Sequence, residues 1–379
     1  MQRIITTPRT NWQQKVEEIG FGFHSLDSLY WDESVYYEFK LKEIEAIEKA
    51  TNELWDLCLE AVQYVIDKKI YNRFHIPQWF VPQIEESWNN DAPAIYGRFD
   101  FSMRDGIPKL LEFNADTPTS LFEASVVQWH WLQDTNPNKD QFNSIHEKLI
   151  AYWSYLKEYL HYHTLHFTAI KDNLEDFTTS EYMRDCAIQA GYHTKFIDLM
   201  DIGWNTDYLE FRDLEELPIK NIFKLYPYEW LLHEEFGNHL RPDRNKCFWI
   251  EPSWKMILSN KAILPILWQL NKGHENLLPT FSEYEKSSIG FNFAKKPILS
   301  REGANIQLFE NGKMISETMG DYGEEGFIYQ ELCTLPEFNG NYPLIGSWVI
   351  GQEAAGIGIR ETSTLITDNL SRFVPHLIK

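Results

Sequence analysis

The stretch at residues 96–114, YGRFDFSMRDGIPKLLEFN, most constrains the fold because it places charged side chains inside an otherwise apolar hairpin. Side chains alternate across a β-strand, so Arg98 and Asp100 share one face of GRFDF, and Glu112 and Asn114 share one face of LLEFN. Buried charges are costly unless each one finds a partner. The hairpin therefore predicts a charged site on this face.

The connection between the two strands decides whether these polar residues meet. A loop with an odd number of residues, centred on Gly106, places Asp100 opposite Glu112 and Arg98 opposite Asn114. A two-residue Asp-Gly turn places them on opposite faces. We therefore predict a loop of three or five residues. The intervening side chains are predicted to form the opposite, apolar face of the hairpin: Phe99, Phe101, Leu111 and Phe113.

The chemistry of this polar face has two interpretations. Two carboxylates and an amide oxygen at one end of a hairpin are hard oxygen ligands of the kind that magnesium prefers, especially when substrate phosphates complete its coordination. The planar guanidinium of Arg98 suits a phosphoryl or carboxylate oxygen. The alternative is an internal salt bridge from Arg98 to Asp100 or Glu112, with Asn114 hydrogen-bonded inside the protein. Spacing alone leaves both interpretations open.

Length and charge limit the class of protein. A chain of 379 residues exceeds the size at which one hydrophobic core stops growing, so two or three lobes are expected. The formal net charge is −21 and there is no basic stripe, which disfavours nucleic-acid binding. The sequence has no signal-peptide segment and no run of about 18 apolar residues. We therefore expect no membrane insertion and a cytoplasmic location.

The apolar periodicity predicts a helical N-terminal region, an α/β unit and a C-terminal region rich in strands. Residues 12–91 are predicted to be mostly helical, with the clearest helical spacing at 41–70, and helical patterns return at 120–134 and 141–165. A strand, a polar loop, a helix and a second strand are predicted in the consecutive segments LHFTAI, DNLEDFTTS, EYMRDCAIQAGY and TKFIDLMDIG. A further strand, NIFKLYPYEWL, comes before the helix-like LHEEFGN. The later strands are predicted around residues 294–297, 305–310, 327–331 and 348–354.

Several basic residues in the C-terminal half have both functional and ordinary interpretations. Lys296 lies in a predicted strand, and the SREGAN loop after it offers backbone amides to phosphates or forms an ordinary turn. Lys261 follows a helix-start signal and by itself is typical of a solvated lysine. Arg360 in GIGIRE suits a transferred phosphoryl group or the protein surface equally well. YQELC is either a backbone partner for adenine or a simple strand end.

Together, RFDF, LLEFNADTPTSLFEAS, KLYPYEW, NKAILP, KPILSREGAN, YQELC and GIGIRE resemble the glutathionylspermidine synthetase family of ATP-grasp ligases, in the same order and over residues 12–375. The length resembles the stand-alone acid–amine ligase form, which lacks the amidase domain of the bifunctional enzymes. The resemblance implies an α+β, ATP-grasp fold with discontinuous lobes. Residues 1–250 would form the helical and α/β preATP-grasp region with the hairpin at 96–120, and residues 251–379 the nucleotide-binding region.

The resemblance also implies roles for individual residues. The ligands of two magnesium ions would be Asp100, Glu112 and Asn114. The catalytic arginines would be Arg98 and Arg360. The residues that contact ATP would be Arg98, Lys261, Lys296, Glu302, Gly303, Gln330, Glu331 and Leu332, within a closing loop at 301–305 and an adenine-bordering segment at 330–334. The residues that contact the acid and the amine would be Thr117, Thr119, Glu175 and Asp176, with threonines at the family's serine positions.

The resemblance implies an ATP- and Mg²⁺-dependent ligase that joins a small acid to a small amine through an acyl phosphate. A glutathione-like peptide and a polyamine are the first expected substrates, and a carboxylate such as Glu175 would take the proton of the amine. A noncatalytic nucleotide- or polyamine-binding protein is the alternative, but it predicts the loss of a metal ligand or phosphate lysine, and none is lost here. A carbohydrate-active enzyme using Asp100 and Glu112 would leave Arg98, Lys261 and the other cations without a task. The sequence predicts no oligomeric state.

Overall fold

A computed structural model describes residues 1–25, 28–160, 164–241, 243, 246–368 and 370–379. The α-helices are α1 (Trp12–Glu18), α2 (Leu41–Lys68), α3 (Val81–Asn89), α4 (Gln128–Thr135), α5 (Ile145–Leu156), α6 (Leu174–Gln189), α7 (Tyr228–Leu231), α8 (Lys255–Leu258), α9 (Ile263–Leu270) and α10 (Lys286–Ile289). The strands are β1 (Gln2–Ile5), β2 (Val35–Phe39), β3 (Tyr96–Arg104), β4 (Ile107–Asn114), β5 (Thr164–Ala169), β6 (His193–Asp198), β7 (Gly203–Asn205), β8 (Glu210–Arg212), β9 (Asn221–Lys224), β10 (Phe248–Ile250), β11 (Thr280–Phe281), β12 (Phe293–Pro297), β13 (Gln307–Glu310), β14 (Lys313–Glu317), β15 (Phe327–Glu331), β16 (Tyr342–Ile350), β17 (Glu353–Thr362), β18 (Arg372–Val374) and β19 (His376–Ile378).

The charged hairpin is the edge of a five-stranded antiparallel sheet with the order β18-β17-β16-β3-β4, called the central sheet below. This sheet combines strands from residues 96–114 with strands from residues 342–374. The mixed architecture confirms the predicted α+β class. The division of the chain at residue 250 stays a prediction, and the central sheet draws strands from both of its sides.

The register of the hairpin confirms the predicted pairing, but the predicted loop length is wrong. Asp105 and Gly106 form a two-residue turn in which both φ angles are positive, 53° and 81°, as a type I′ turn requires. A β-bulge then shifts the register between Asp100 and Phe101, so that Asp100 pairs with Glu112. The extra residue that the pairing needs therefore lies inside a strand and not in the loop.

The bulge also changes which leucine enters the core. Leu110 is 1% exposed and belongs to the main hydrophobic core, whereas Leu111 is partly exposed and lines a cleft. The predicted apolar face therefore contains Leu110 in place of Leu111. The ring centroids of Phe99 and Phe113 on this face lie 3.9 Å apart, and α2 packs across it. The opposite face of the hairpin is left for the charged residues.

The α/β unit is a parallel sheet with the order β10-β9-β5-β6, in which α6 connects β5 to β6. The prediction that DNLEDFTTS forms a polar loop is wrong, because α6 already begins at Leu174. The side-chain oxygen of Asn173 accepts the N–H of Asp176 at 3.2 Å and caps the helix. Glu175 and Asp176 therefore lie in the first helical turn.

Other segments divide differently from the prediction. Residues 348–354, predicted as one strand, contain a hairpin turn in which Gly351 has a φ of 64°. Residues 221–231, also predicted as one strand, divide into β9 and α7 at Pro227, which has no N–H for a strand ladder. The predicted helix at 232–238 is absent from the described residues there, and β2 interrupts the predicted helical region at 12–91. The helix predicted within 141–165 is α5, and residues 161–163 lie outside the described residues.

A second five-stranded antiparallel sheet, with the order β11-β15-β12-β13-β14, is called the lid sheet below. Its strands β12, β13 and β15 confirm three of the predicted strands. The lid sheet meets the hairpin directly, because Nζ of Lys296 on β12 donates to the carbonyl oxygen of Leu111 at 2.9 Å. In the described part of the chain, no helix is both long enough and apolar enough to cross a lipid bilayer.

A buried ion pair connects the hairpin to the α/β unit. Nζ of Lys224 on β9 lies 2.7 Å from Oδ1 of Asp116, and the two side chains are 0% and 1% exposed. Oδ2 of Asp116 accepts the backbone N–H of Tyr228 at 3.1 Å, at the start of α7. The loop that follows β4 is thereby held against the parallel sheet.

We predict that Lys224→Met lowers the free energy of unfolding by about 3–5 kcal/mol, because it leaves the Asp116 carboxylate buried without its partner. Denaturant titration followed by circular dichroism measures this change. Adding Asp116→Asn should recover part of the loss by removing the unpaired charge. Lys148→Met is the control, since the Lys148–Glu353 pair, whose side chains are 31% and 74% exposed, contributes at most about 1 kcal/mol. Equal effects of the two lysine substitutions would contradict the assignment.

Candidate active site

A cleft between the central sheet and the lid sheet collects most of the residues predicted for the site. Its empty volume is about 1070 Å³, part of which is open to solvent. The predicted residues that line it are Arg98, Asp100, Glu112, Asn114, Thr117, Thr119, Lys296, Glu302, Gly303, Gln330, Glu331, Leu332 and Arg360. Lys261 contacts Glu112 at the margin of the cleft, while Glu175 and Asp176 approach from α6.

Arg98 and Asp100 form an ion pair in this cleft. Nε of Arg98 donates to Oδ1 of Asp100 at 2.6 Å, and one terminal nitrogen donates to Oδ2 at 3.0 Å. The other terminal nitrogen donates to the carbonyl oxygen of Thr119 at 2.6 Å. Burial opposes the charge of the guanidinium, but Asp100 outweighs it and raises the pKa of Arg98. The salt bridge considered as an alternative is therefore present, and it lies in the cleft.

Glu112 lies in the electric field of two lysines. Its Oε2 lies 3.1 Å from Nζ of Lys261, and a quarter of its side chain is exposed to the cleft. Burial by itself would raise the pKa of Glu112, but Lys261 and Lys296 outweigh burial and lower this pKa to about 2. Nδ2 of Asn114 donates to Oε1 of Glu112 at 3.3 Å and to Oδ2 of Asp100 at 3.1 Å. Glu112 therefore stays ionised near neutral pH.

Lys296 is the most deeply placed lysine of the cleft. Its Nζ donates to the carbonyl of Leu111 and, at 2.7 Å, to Oε1 of Gln330. Burial lowers the pKa of Lys296 to about 8, although Glu112 opposes this shift. Nε2 of Gln330 in turn donates to the carbonyl of Leu110 at 3.2 Å. The Gln330 side chain thus positions this lysine, a role that the sequence did not predict.

Cations outnumber carboxylates around the charged hairpin, although the chain carries a formal charge of −21. Two carboxylates, Asp100 and Glu112, face a larger set of cations: Arg98, Lys261, Lys296 and Arg360. One terminal nitrogen of Arg360 donates to the carbonyl of Asp368 at 2.7 Å. Its buried Nε has no hydrogen-bond partner among the residues described. This excess of donors suits an anionic ligand such as a phosphate group.

The SREGAN loop closes one side of the cleft. A Cβ at Gly303 would lie 2.1 Å from the carbonyl oxygen of Thr367, and the φ of Gly303 is 69°, so only glycine fits. The terminal nitrogens of Arg301 donate to Oγ1 of Thr117 and to Oε1 of Glu229, each at 2.9 Å. The loop is therefore fastened to both the hairpin side and the α/β unit.

An apolar pocket lies at the lid-sheet end of the cleft. Its walls are the buried side chains of Ala294, Ile306, Leu308, Leu332 and Ile366. Such a pocket beside Lys296 fits a flat, largely apolar ring. The N–H groups of Glu331 and Leu332 already donate to the carbonyls of Pro279 and Asn292, at 2.7 and 3.1 Å. If residues 330–334 contact adenine through their backbone, they therefore use groups other than these two N–H groups.

The two acidic residues of α6 lie near the arginine end of the cleft. Burial raises the pKa of Glu175, while Arg360 and the hydroxyl of Thr119 oppose this shift. Burial, followed by the field of Glu175, raises the pKa of Asp176 to about 7, and Arg301 opposes it. Asp176 therefore changes its protonation state near neutral pH, and Glu175 binds a proton more tightly than an ordinary glutamate does.

Sequence reasoning missed the residues that support the site. Asp116 and Lys224 anchor the loop that carries Thr117 and Thr119, yet only their neighbours were singled out. Both stand in the motifs NADTPTS and KLYPYEW, and Lys224 also ends the apolar strand NIFK. A charge in an apolar strand was the signal that identified the hairpin. The same signal at Lys224 predicts a buried ionic partner, but it does not identify which residue that partner is.

The donor chemistry of the hairpin fits magnesium that arrives with phosphates. Among the residues described, no group of three or more Asp, Glu, His or Cys side chains is arranged to hold a metal ion by itself. Magnesium commonly takes one or two carboxylates and completes its coordination with phosphate oxygens and water. Asp100 and Glu112 supply the two carboxylates, and rotation of the Asn114 amide exchanges its N–H donor for an oxygen.

Comparisons with known proteins identify the family of the chain. The family described as glutathionylspermidine synthase preATP-grasp matches residues 3–379. A Haemophilus influenzae protein named "Putative acid--amine ligase" is 42% identical over 391 residues, which cover 99% of each chain. The trypanothione synthetase of Crithidia fasciculata is 28% identical over 363 residues, 86% of this chain and 54% of that protein. The bifunctional glutathionylspermidine synthetase/amidase of Escherichia coli is 27% identical over 374 residues, 90% of this chain and 59% of that protein.

A solved structure shares the fold at low sequence identity. The glutathione synthetase-like effector of Globodera pallida, in its apo form, has a TM-score of 0.61 and 8% identity, and the match covers 97% of this chain and 95% of that one. The predicted ATP-grasp, glutathionylspermidine synthetase-like fold is thereby confirmed. The chain belongs to the glutathionylspermidine synthase preATP-grasp family, and it is an ATP-dependent ligase that forms carbon–nitrogen bonds.

Proposed function

We propose that this ligase uses ATP and two magnesium ions to convert a small acid into an acyl phosphate, and then joins the acyl group to an amine. The products are an amide, ADP and phosphate. The acid is a glutathione-like peptide and the amine a polyamine, the substrate class suggested by the names of the relatives. The observation that carries the proposal is the convergence of four cations, two carboxylates and an amide in one cleft.

Residues from several sides of the cleft would hold the nucleotide and its metal. Lys261 and Lys296 are placed to bind phosphate oxygens, and the apolar pocket of the lid sheet is placed to bind the base. Asp100, Glu112 and Asn114 would hold magnesium, which supplies positive charge to the phosphate oxygens when bound. The loop at 301–305 would exclude water from the phosphates.

The arginines would stabilise the reacting centre. Arg98 on β3 and Arg360 on β17 lie on the two strands that flank β16, and they would offset negative charge on the transferred phosphoryl group and on the tetrahedral adduct. Thr117 and Thr119 would orient the acid, because their loop is fixed by Arg301 and Arg98. No side-chain nucleophile is needed, since the acid itself attacks the γ-phosphate.

The carboxyl groups of α6 would bind the amine. Glu175 and Asp176 lie beyond Thr119 and present negative charge to an ammonium group. The ammonium must lose a proton before its nitrogen can attack. The raised pKa of Glu175 makes its ionised form a stronger proton acceptor than an ordinary glutamate.

A screen of acid and amine pairs tests this function. Glutathione and other γ-glutamyl peptides are combined with spermidine and other amines, and ADP is measured together with the mass of the product. The expected result is one ADP for each amide formed. ADP release without an amide, or no ADP with any pair, would contradict the proposal.

We predict that Glu112→Gln lowers kcat by about 100-fold or more, because it removes a negative ligand of magnesium at the phosphates. Magnesium-dependent ADP release measures this loss, and circular dichroism checks the fold. The matched control is Glu310→Gln, an exposed residue at the end of β13, which should retain wild-type turnover. Unchanged turnover in Glu112→Gln would reject its assignment as a metal ligand.

The pKa of Lys296 predicts how nucleotide binding depends on pH. Burial lowers this pKa to about 8, so the lysine loses its charge as the pH rises through that value, and the affinity for a nonhydrolysable ATP analogue should fall. The unfolded chain keeps that proton up to about pH 10.5, so this residue's contribution to the free energy of unfolding rises between the two values.

Lys296→Arg provides the control for this pH dependence. A guanidinium stays charged throughout the range, so binding by Lys296→Arg should remain level where wild-type binding weakens. Titration calorimetry between pH 6.5 and about pH 9.5 measures both affinities. Identical pH profiles for the two proteins would contradict the role of Lys296.

A further inference from the structure

Glu123 is a buried carboxyl group next to the substrate loop that no step of the proposed mechanism uses. It is 0% exposed and begins a π-helical turn, Glu123–Val127, directly after the loop that carries Thr119. The hydroxyl of Tyr30 donates to Oε1 of Glu123 at 2.6 Å and lies 3.0 Å from Oγ of Ser120. Oε2 of Glu123 has no hydrogen-bond partner among the residues that the structure describes.

These features indicate a functional and not only a structural residue. A buried carboxyl oxygen without a donor is costly, so such groups are rare in positions that serve packing alone. π-Helical turns within α-helices occur frequently at functional sites. Glu123 combines both features four residues after Thr119, which lines the cleft.

The electric fields that reach Glu123 indicate the group through which it acts. The charged and titratable groups whose fields reach it are Glu175, Arg360 and Tyr30. Burial, followed by the field of Glu175, raises the pKa of Glu123 to about 8, and the hydrogen bond from Tyr30 and the field of Arg360 oppose this shift. The pKa of Glu175 is set by burial first, and then by Arg360, Thr119, Glu302 and Arg98. Two neighbouring carboxyl groups in a desolvated site bind a proton more tightly than either would alone.

We propose that Glu123 is a positioning residue that acts through Glu175, so that the two carboxyl groups together accept the proton of the incoming ammonium. This inference rests on the proposed ligase function. When the ammonium is bound, one N–H bond breaks and its proton passes to Glu175. The freed electron pair of the nitrogen attacks the acyl carbon, and phosphate leaves with the electron pair of its bond to carbon. The second proton of the nitrogen goes to the departing phosphate.

The pair explains why one glutamate is insufficient. An isolated glutamate has a pKa of about 4.3 and is a weak acceptor for the proton of an alkylammonium ion. A second buried carboxyl raises the proton affinity of the pair towards that of the amine, which speeds the transfer. The amine would therefore react fastest at pH values at which the pair is ionised.

The test compares two nucleophiles in the Glu123→Gln variant. Hydroxylamine is already unprotonated at neutral pH and needs no acceptor, whereas an alkylamine does. With the acid found in the screen, Glu123→Gln should form hydroxamate within about threefold of the wild-type rate, while kcat/KM for the alkylamine falls by about 30- to 100-fold. The acid limb of the alkylamine pH profile should also move to lower pH, because Glu175 then titrates without a second carboxyl.

The opposite results are equally clear. An equal loss with both nucleophiles, or no loss with either, would overturn the inference. Wild-type hydroxamate formation tests the ligase function separately, since it requires the acyl phosphate but no proton acceptor. Glu158→Gln, an exposed substitution on the loop after α5, is the matched control and should behave like the wild type.

Tyr30→Phe provides a second, milder variant in case Glu123→Gln does not fold. It removes the hydrogen bond that favours the ionised form of Glu123, so the acid limb for the alkylamine should move to higher pH. The hydroxamate rate should stay within about threefold of the wild-type rate, as above. An unmoved acid limb in Tyr30→Phe would overturn the inference independently.

Discussion

The β-bulge in the hairpin is the constraint on which the rest of the site depends. With a two-residue turn and no bulge, Asp100 and Glu112 would project from opposite faces, and one of them would enter the core beside Phe99. The bulge turns both carboxylates to the cleft. It also leaves the carbonyl oxygen of Leu111 free to accept a hydrogen bond from the ammonium of Lys296 on the lid sheet. One extra residue in a strand thus aligns the hairpin and holds the two sheets together.

The charges of the cleft explain why a salt bridge and a ligand site coexist here. In the absence of a ligand, each carboxylate of the hairpin already has a cationic partner, Arg98 for Asp100 and Lys261 for Glu112. The same cations are the groups proposed to bind phosphate, and the same carboxylates are those proposed to bind magnesium. With ligands bound, the phosphates would pair with the cations and magnesium with the carboxylates. Each charged group would therefore have a partner both with and without ligands, which keeps the desolvation cost of the charged cleft moderate in both states.

The errors in the sequence predictions share a physical cause. The pairing of Asp100 with Glu112 follows from alternation, a local property, and it was predicted correctly. The loop length was wrong because a bulge depends on what the two faces of the sheet pack against. The start of α6 was missed because the polar loop sequence masked the cap at Asn173. The contact between Gln330 and Lys296 was not predicted, because the two residues lie 34 residues apart in the chain.

The sequence by itself determined the polar and apolar faces of the strands, the long amphipathic helix, most of the cleft residues and the family, because alternation, helical periodicity and ordered motifs are properties of the chain. Only the tertiary structure decided which charges meet. Asp116 and Lys224 are 108 residues apart, and Tyr30 and Glu123 are 93 apart, and no local pattern connects such pairs. Their burial and partners depend on how the sheets assemble, since a carboxyl group acquires its proton affinity from the surfaces that exclude water around it.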